Sequence, residues 1–261
     1  MTDTTAQNRP TGPLAYAQKI IAHAQRTKHV SVFPGQNYRG LADFLTRPYG
    51  PLARPRLRSK CHHDPALVTL YEHDREGRVA VQRLGPDPSD LAKVAAYADG
   101  SGISARFLFI RGLPNPDWLN HIGSPFRVDP EFFRRHLGFL EPQEHFDLPC
   151  VPSASSHIFK LPIITIGMKM GHNISSAKSF TLKREEVCRN VEAYLRNIAH
   201  EPIAGQSIVR RVSVHDERYI TLEQEVSGCI QRSADGCNGK DENDLSIISY
   251  PQSQADTALA T

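Results

Sequence analysis

The stretch from Arg106 to Leu140, RFLFIRGLPNPDWLNHIGSPFRVDPEFFRRHLGFL, carries the clearest fold signals in the chain. The run Ala105–Arg111 is aliphatic and aromatic, has the length of a strand, and predicts one. Asn115 stands directly before a proline and predicts the N-cap of a short helix that ends at Gly123. Residues Asp129–Glu131, the sequence DPE, repeat this start signal for a second helix. The stretch therefore predicts one strand followed by two helices.

This stretch also holds the residues that we expect to make structural or interaction contacts. Its aromatic side chains could line a ligand pocket, but packing of the strand and helices around Trp118 is the more ordinary role. The two neighbouring arginines could pair with acids or with a partner surface, and solvated surface charge is the simpler expectation. The predicted structural or interaction residues are Arg111, Trp118, Asp129, Phe132, Phe133, Arg134 and Arg135.

Strands and helices alternate on both sides of this stretch, in the order β-β-α-β-α-α-β-α-β-β from residue 67 onward. That order predicts an α/β fold that leans towards α+β, with a central mixed sheet and helices packed on it in one large domain. We expect residues 1–66 to form an N-terminal helix and a poorly ordered segment rich in Arg, Pro and His. We expect residues 67–250 to form the domain itself and residues 251–261 to form a disordered tail. Pro162 confines the strand predicted over His157–Ile166 to a sheet edge or a bulge.

Charge and cysteine content restrict the class of protein. The 261 residues include 31 basic and 28 acidic side chains, a balance that argues against a nucleic-acid-binding protein. The basic stretch Arg54–Lys60 is therefore interpreted as a solvated linker. Five cysteines without a CxxC pair are typical of free thiols in a reducing compartment. No apolar run has the length of a signal peptide or a membrane span, so we expect a cytoplasmic protein with no direct membrane insertion.

Two short polar segments contain residue types that bind metal ions. Cys61-His62-His63-Asp64 precedes a predicted strand and Glu72-His73-Asp74 follows it. A strand between them would hold the two groups more than about 20 Å apart, so loop residues flanking a strand are the simpler interpretation. The alternative is a metal-dependent enzyme that uses this cluster. Its candidate ligands are His62, His63, His73 and Asp74.

No sequence motif indicates a catalytic site. GxSxG, HExxH, P-loop and GxGxxG patterns do not occur. His215-Asp216-Glu217 follows a predicted strand and is interpreted as a polar turn. We therefore expect a non-enzymatic protein without a cofactor.

The stretch Arg106–Leu140 resembles the N-terminal soluble region of fungal CorA-like magnesium-transporter proteins. Three further segments agree with it in order and approximate spacing. They are the hairpin YEHD…GRVAVQRL over Tyr71–Leu84, LPIITIG over Leu161–Gly167, and SIVRRVSVHDERYITLEQEVSGCI over Ser207–Ile230.

The resemblance implies a cytosolic regulatory domain that acts by binding. Its implied partners are membrane-embedded CorA-like subunits or further copies of itself, which would place it beside a membrane, and Mg²⁺ is an implied regulatory ion. Transport in this family belongs to membrane helices with a Gly-Met-Asn motif. The nearest triplet here, Gly167-Met168-Lys169, departs from that motif, so the resemblance does not imply transport by this chain alone.

Overall fold

The computed structural model describes ten segments of the chain. They are residues 12–25, 38–47, 66–85, 87–98, 103–138, 157–168, 177–200, 205–216, 219–231 and 244–250.

Seven strands within the described residues form one mixed sheet. They are β1 (Val68–Asp74), β2 (Val79–Leu84), β3 (Ile103–Arg111), β4 (Ile158–Met168), β5 (Arg211–Val214), β6 (Tyr219–Gln231) and β7 (Asp244–Tyr250). Their order across the sheet is β2-β1-β3-β7-β6-β4, and β5 pairs with β6 outside this path. The pair β3–β7 is parallel and the other pairs are antiparallel.

Six helices accompany this sheet in the described residues. They are α1 (Pro13–Ala24), α2 (Arg39–Thr46), α3 (Pro88–Ala98), α4 (Pro116–Gly123), α5 (Pro130–His136) and α6 (Ala177–His200). No helix in these segments combines the length and the apolar character needed to cross a membrane.

Helices α1 to α5 pack on one face of the sheet, here called the helical face. Leu70, Leu108 and Ile247 share this face because they are register partners on β1, β3 and β7. They belong to the same buried cluster as Ala17 of α1 and Trp118 of α4. Burial of this continuous apolar cluster holds the layers together.

Helix α6 lies on the opposite face, here called the α6 face, and covers the end that contains β5. Tyr194 of α6 packs against Val209 and Leu222, which form a smaller buried cluster. Among the α6 side chains whose burial is described, the deepest lies near the end of the helix: Ile198 is fully buried, whereas Leu182 is 58% exposed. Most of this long helix therefore lies at the surface.

The predicted fold class is confirmed: the chain forms an α/β domain with a mixed sheet and packed helices. The strand containing Pro162 is β4, which within the described residues is one of the edge strands of the sheet and has no register shift against β6. Strand β7 is absent from the predicted element order, although it lies between β3 and β6. Helices α1 and α2 contribute to the same core, which therefore extends N-terminal of the predicted boundary at residue 67.

Several sequence predictions lie outside the described residues. They concern the poorly ordered segment before residue 66, the basic stretch Arg54–Lys60 and the tail 251–261.

Candidate functional site

The two predicted metal ligands that the structure describes lie where β1 enters the hairpin to β2. The His73 ring packs edge-on against Phe107, with 5.7 Å between ring centroids. The Asp74 carboxylate accepts hydrogen bonds from the backbone N–H groups of Glu76 (2.9 Å) and Arg78 (2.8 Å) and from Arg78 Nε (2.6 Å). The hydrogen bond from the Arg78 side chain lowers the pKa of Asp74. These contacts make Asp74 a turn-forming residue of the hairpin.

The remaining metal candidates, His62 and His63, lie outside the described residues together with Cys61. Across the segments that the structure describes, no three His, Cys, Asp or Glu side chains are grouped closely enough to hold a metal ion.

The aromatic residues predicted for structural contacts form the core. Trp118, Phe132 and Phe133 are at most 1% exposed, and all three belong to the main buried cluster. Arg111 lies half-buried at the end of β3, where its backbone N–H donates to the carbonyl of Leu67 (2.8 Å). These four residues therefore support the fold.

Asp129 is the N-cap of α5, as the sequence predicts. Its carboxylate accepts a hydrogen bond from the backbone N–H of Glu131 (2.9 Å), which satisfies a free donor of the first helical turn. The second carboxylate oxygen lies 3.0 Å from Nε2 of His157, the residue directly before β4. One side chain thus begins α5 and connects it to the edge of the sheet.

Arg134 and Arg135 pair with an acid of their own helix. Arg134 holds the Glu131 carboxylate with two nitrogens (2.7 and 2.8 Å), and Arg135 Nε donates to it at 2.7 Å. Tyr38, the residue directly before α2, also donates a hydrogen bond from its hydroxyl to Glu131 (3.0 Å). Burial by itself raises the pKa of Glu131, but the hydrogen bonds from the two arginines outweigh it and lower the pKa to about 2.

A second polar network, not predicted from the sequence, connects α5 with β4 and β6. Glu225 is its centre. The Glu225 carboxylate accepts from Arg210 Nη2 (2.8 Å) and from the hydroxyl of Ser227 (2.9 Å), and lies 3.2 Å from Lys160 Nζ. Arg210 Nη2 also donates to the carbonyl of His136, the last residue of α5 (3.0 Å). Burial lowers the pKa of Lys160.

The serine, histidine and glutamate of this network differ from a nucleophilic triad in their order. In a triad the histidine stands between the serine and the acid. Here Ser227 donates directly to Glu225, and His136 Nδ1 lies 3.1 Å from the Ser227 hydroxyl. Ser227 is fully buried, and burial lowers the pKa of His136 to about 3, so this imidazole is neutral at pH 7. The network fastens α5 to the sheet.

Large apolar side chains are exposed on the two outermost strands of the sheet. On β2, Val79 and Val81 are 50% and 44% exposed. Four such residues lie on β4, at 38% to 70% exposure: Leu161, Ile163, Ile164 and Ile166.

Strand β4 has apolar side chains on both faces of the sheet. Ile164 and Ile166 share the helical face with their β6 partners Glu223 and Thr221. Leu161 and Ile163 point to the α6 face. Neighbouring residues on a strand point to opposite faces, so an apolar run of this kind is typical of a strand that is covered on both sides.

Comparison of this chain with protein-family models, with curated proteins and with solved structures finds no match. The relation to CorA-like transporters therefore stays a prediction from the sequence.

Proposed function

We propose that this chain is a non-catalytic regulatory domain that works by binding protein subunits. The observation that carries this proposal is the exposure of large apolar side chains along β2 and β4. Contiguous exposed apolar surface marks interaction sites in folded proteins. A binding domain has a use for such a surface, because its burial against a partner is favourable.

The polar side chains near α5 support a binding role over a chemical one. Glu131 and Glu225 each accept several hydrogen bonds from cations of the same chain. The neutral imidazole of His136 is buried against Ser227. These groups stabilise the packing of α5, which leaves the apolar strands as the surface best suited to act on another molecule.

The class of partner comes from the sequence resemblance. A domain related to the cytosolic part of CorA-like magnesium transporters would bind membrane-embedded CorA-like subunits or further copies of itself. It would then act in the cytoplasm beside a membrane and transmit a regulatory signal, with Mg²⁺ as the regulatory ion.

Photochemical cross-linking in the native host tests this proposal. A benzoylphenylalanine replaces Val81 on β2 or Ile164 on β4, and a control probe replaces Ala193, which lies exposed on α6. We expect the strand probes to form a discrete adduct that mass spectrometry identifies as a CorA-like subunit or as the chain itself. Absence of an adduct, or the same adducts from the control probe, would refute the proposed function.

A further inference from the structure

In the described part of the chain no strand pairs with the outer side of β4, which offers a row of backbone groups to a further strand. The N–H of Ile230 donates to the carbonyl of His157 (2.9 Å), which makes these two residues a hydrogen-bonded pair of the β4–β6 ladder. Hydrogen-bonded pairs alternate along an antiparallel ladder, and the β4–β6 register has no shift. The backbone groups of Lys160, Pro162, Ile164 and Ile166 therefore point away from β6.

The position of Pro162 agrees with this alternation. Proline has no N–H, so on an edge strand it fits where the nitrogen faces away from the ladder. Lys160 and Pro162 are the two residue types that proteins place on edges to discourage further pairing. Both lie in the first half of β4, and the second half contains neither.

We infer that the second half of β4 is a pairing edge for a second copy of this chain. The inference rests on the proposed binding function and names its partner and its surface. The two copies join β4 to β4 in antiparallel orientation about a two-fold axis, so that the two sheets become one.

A second copy fits this edge because the edge is complementary to itself. A register centred on Thr165 sets Ile164 of each copy opposite Ile166 of the other, in two equivalent hydrogen-bonded pairs. Ile164 and Ile166 are 68% and 70% exposed in one chain, and the pairing places the four isoleucines together on the helical face. On the α6 face the same register sets Thr165 opposite Thr165 and Ile163 of each copy opposite Gly167 of the other.

Charge also favours self-pairing at β4 over pairing at β2. The seven residues Leu161–Gly167, LPIITIG, carry no charge, so two copies meet without repulsion. Within the described residues the nearest cation is Lys160, which already lies 3.2 Å from Glu225 of its own chain. Strand β2 is shorter and has Arg83 within it and Arg78 directly before it, and two copies pairing there would bring like charges together.

Sedimentation velocity of the purified full chain tests the inference. From roughly 1 to 100 µM we expect a reversible monomer–dimer equilibrium, because mass action favours the dimer as concentration rises. Ile164→Lys places a charge in the centre of the pairing and should weaken dimerisation at least about tenfold. Ile166→Pro removes an outward N–H while keeping the bonds to β6, and should also yield monomer.

Val81→Lys is the matched control, because it places the same charge on the other exposed strand. It should leave the dimer intact. Circular dichroism melting of each variant separates loss of pairing from loss of folding. If Ile166→Pro folds poorly, the result for Ile164→Lys alone tests the inference.

A wild-type chain that stays monomeric, a polydisperse aggregate, or equal dissociation by Ile164→Lys and Val81→Lys would overturn the second-copy inference. A monomer whose Ile164 photo-probe captures a CorA-like subunit would overturn this inference and leave the proposed function standing. A dimer abolished by Ile164→Lys, together with no adduct in the host, would refute the proposed function and leave the second-copy inference standing.

Discussion

At the scale of single residues, His136 shows how burial sets a charge state. Its ring is enclosed between Phe132 and the Ser227 hydroxyl, and burial holds its pKa near 3, well below the usual 6.5. Positive charge on Arg210 and Lys160 adds to the effect. The folded state therefore keeps this imidazole neutral over a pH range in which the unfolded chain takes up a proton.

We expect acidification to weaken the fold through His136 before the carboxylates contribute. A histidine with a depressed folded pKa contributes stability that is complete above the unfolded pKa and is lost as pH falls from 6.5 towards 3. Between pH 6.5 and 5 the free energy of unfolding should fall by roughly 2 kcal/mol. Urea titrations at the two pH values measure this, and His136→Gln should flatten the difference. If the free energy of unfolding of the variant still falls by the same amount between the two pH values, His136 is not the source of the pH dependence.

Trp118, the only tryptophan in the chain, tests the core at the same scale. Its side chain is fully buried, and Trp118→Ala should cost about 3–5 kcal/mol of unfolding free energy because it leaves a cavity. The indole N–H finds no hydrogen-bond partner within the described segments, so Trp118→Phe gives up no bond there and should cost much less. Urea unfolding followed by circular dichroism compares the two. Equal losses would mean that the indole nitrogen contributes more than its contacts indicate.

At the scale of elements, short helices depend on their first residues. Helix α5 has seven residues, and its start is readable in the sequence because Asp129 and the following proline form a local signal. The contacts that hold α5 against the sheet could not be predicted from a local sequence pattern. The bonds of Glu225 to Arg210 and Lys160 join residues up to 65 positions apart, and only the strand register brings them together.

Asp129→Ala should destabilise the protein by about 1–2 kcal/mol, because it removes the cap of α5 and its contact with His157. Urea unfolding measures the loss. Asp43→Ala changes an exposed aspartate in α2 and should alter stability by less than about 0.5 kcal/mol. Similar losses in the two variants would contradict a capping role.

At the scale of the whole molecule, the alternation of strands and helices was enough to predict an α/β sheet, but not its order. Strand β7 is short and follows a polar segment, so its run Leu245–Ser249 carries no distinct strand signal in the sequence. Its partners β3 and β6 lie far away in sequence, and no local pattern encodes that parallel pairing. Pro162 predicts an edge or a bulge for β4, but the apolar run LPIITIG is typical of a strand that is covered on both sides, so the exposure of its isoleucines could not be predicted from the sequence.

Amide hydrogen exchange along β4 tests the proposed binding surface most directly. The N–H groups of Ile163 and Thr165 point towards β6 and should be protected at every protein concentration. Those of Ile164 and Ile166 point outward, so the account predicts fast exchange in dilute solution and slow exchange once a second copy pairs at high concentration. Exchange of Ile164 and Ile166 that stays fast at all concentrations and in the presence of CorA-like subunits would contradict it.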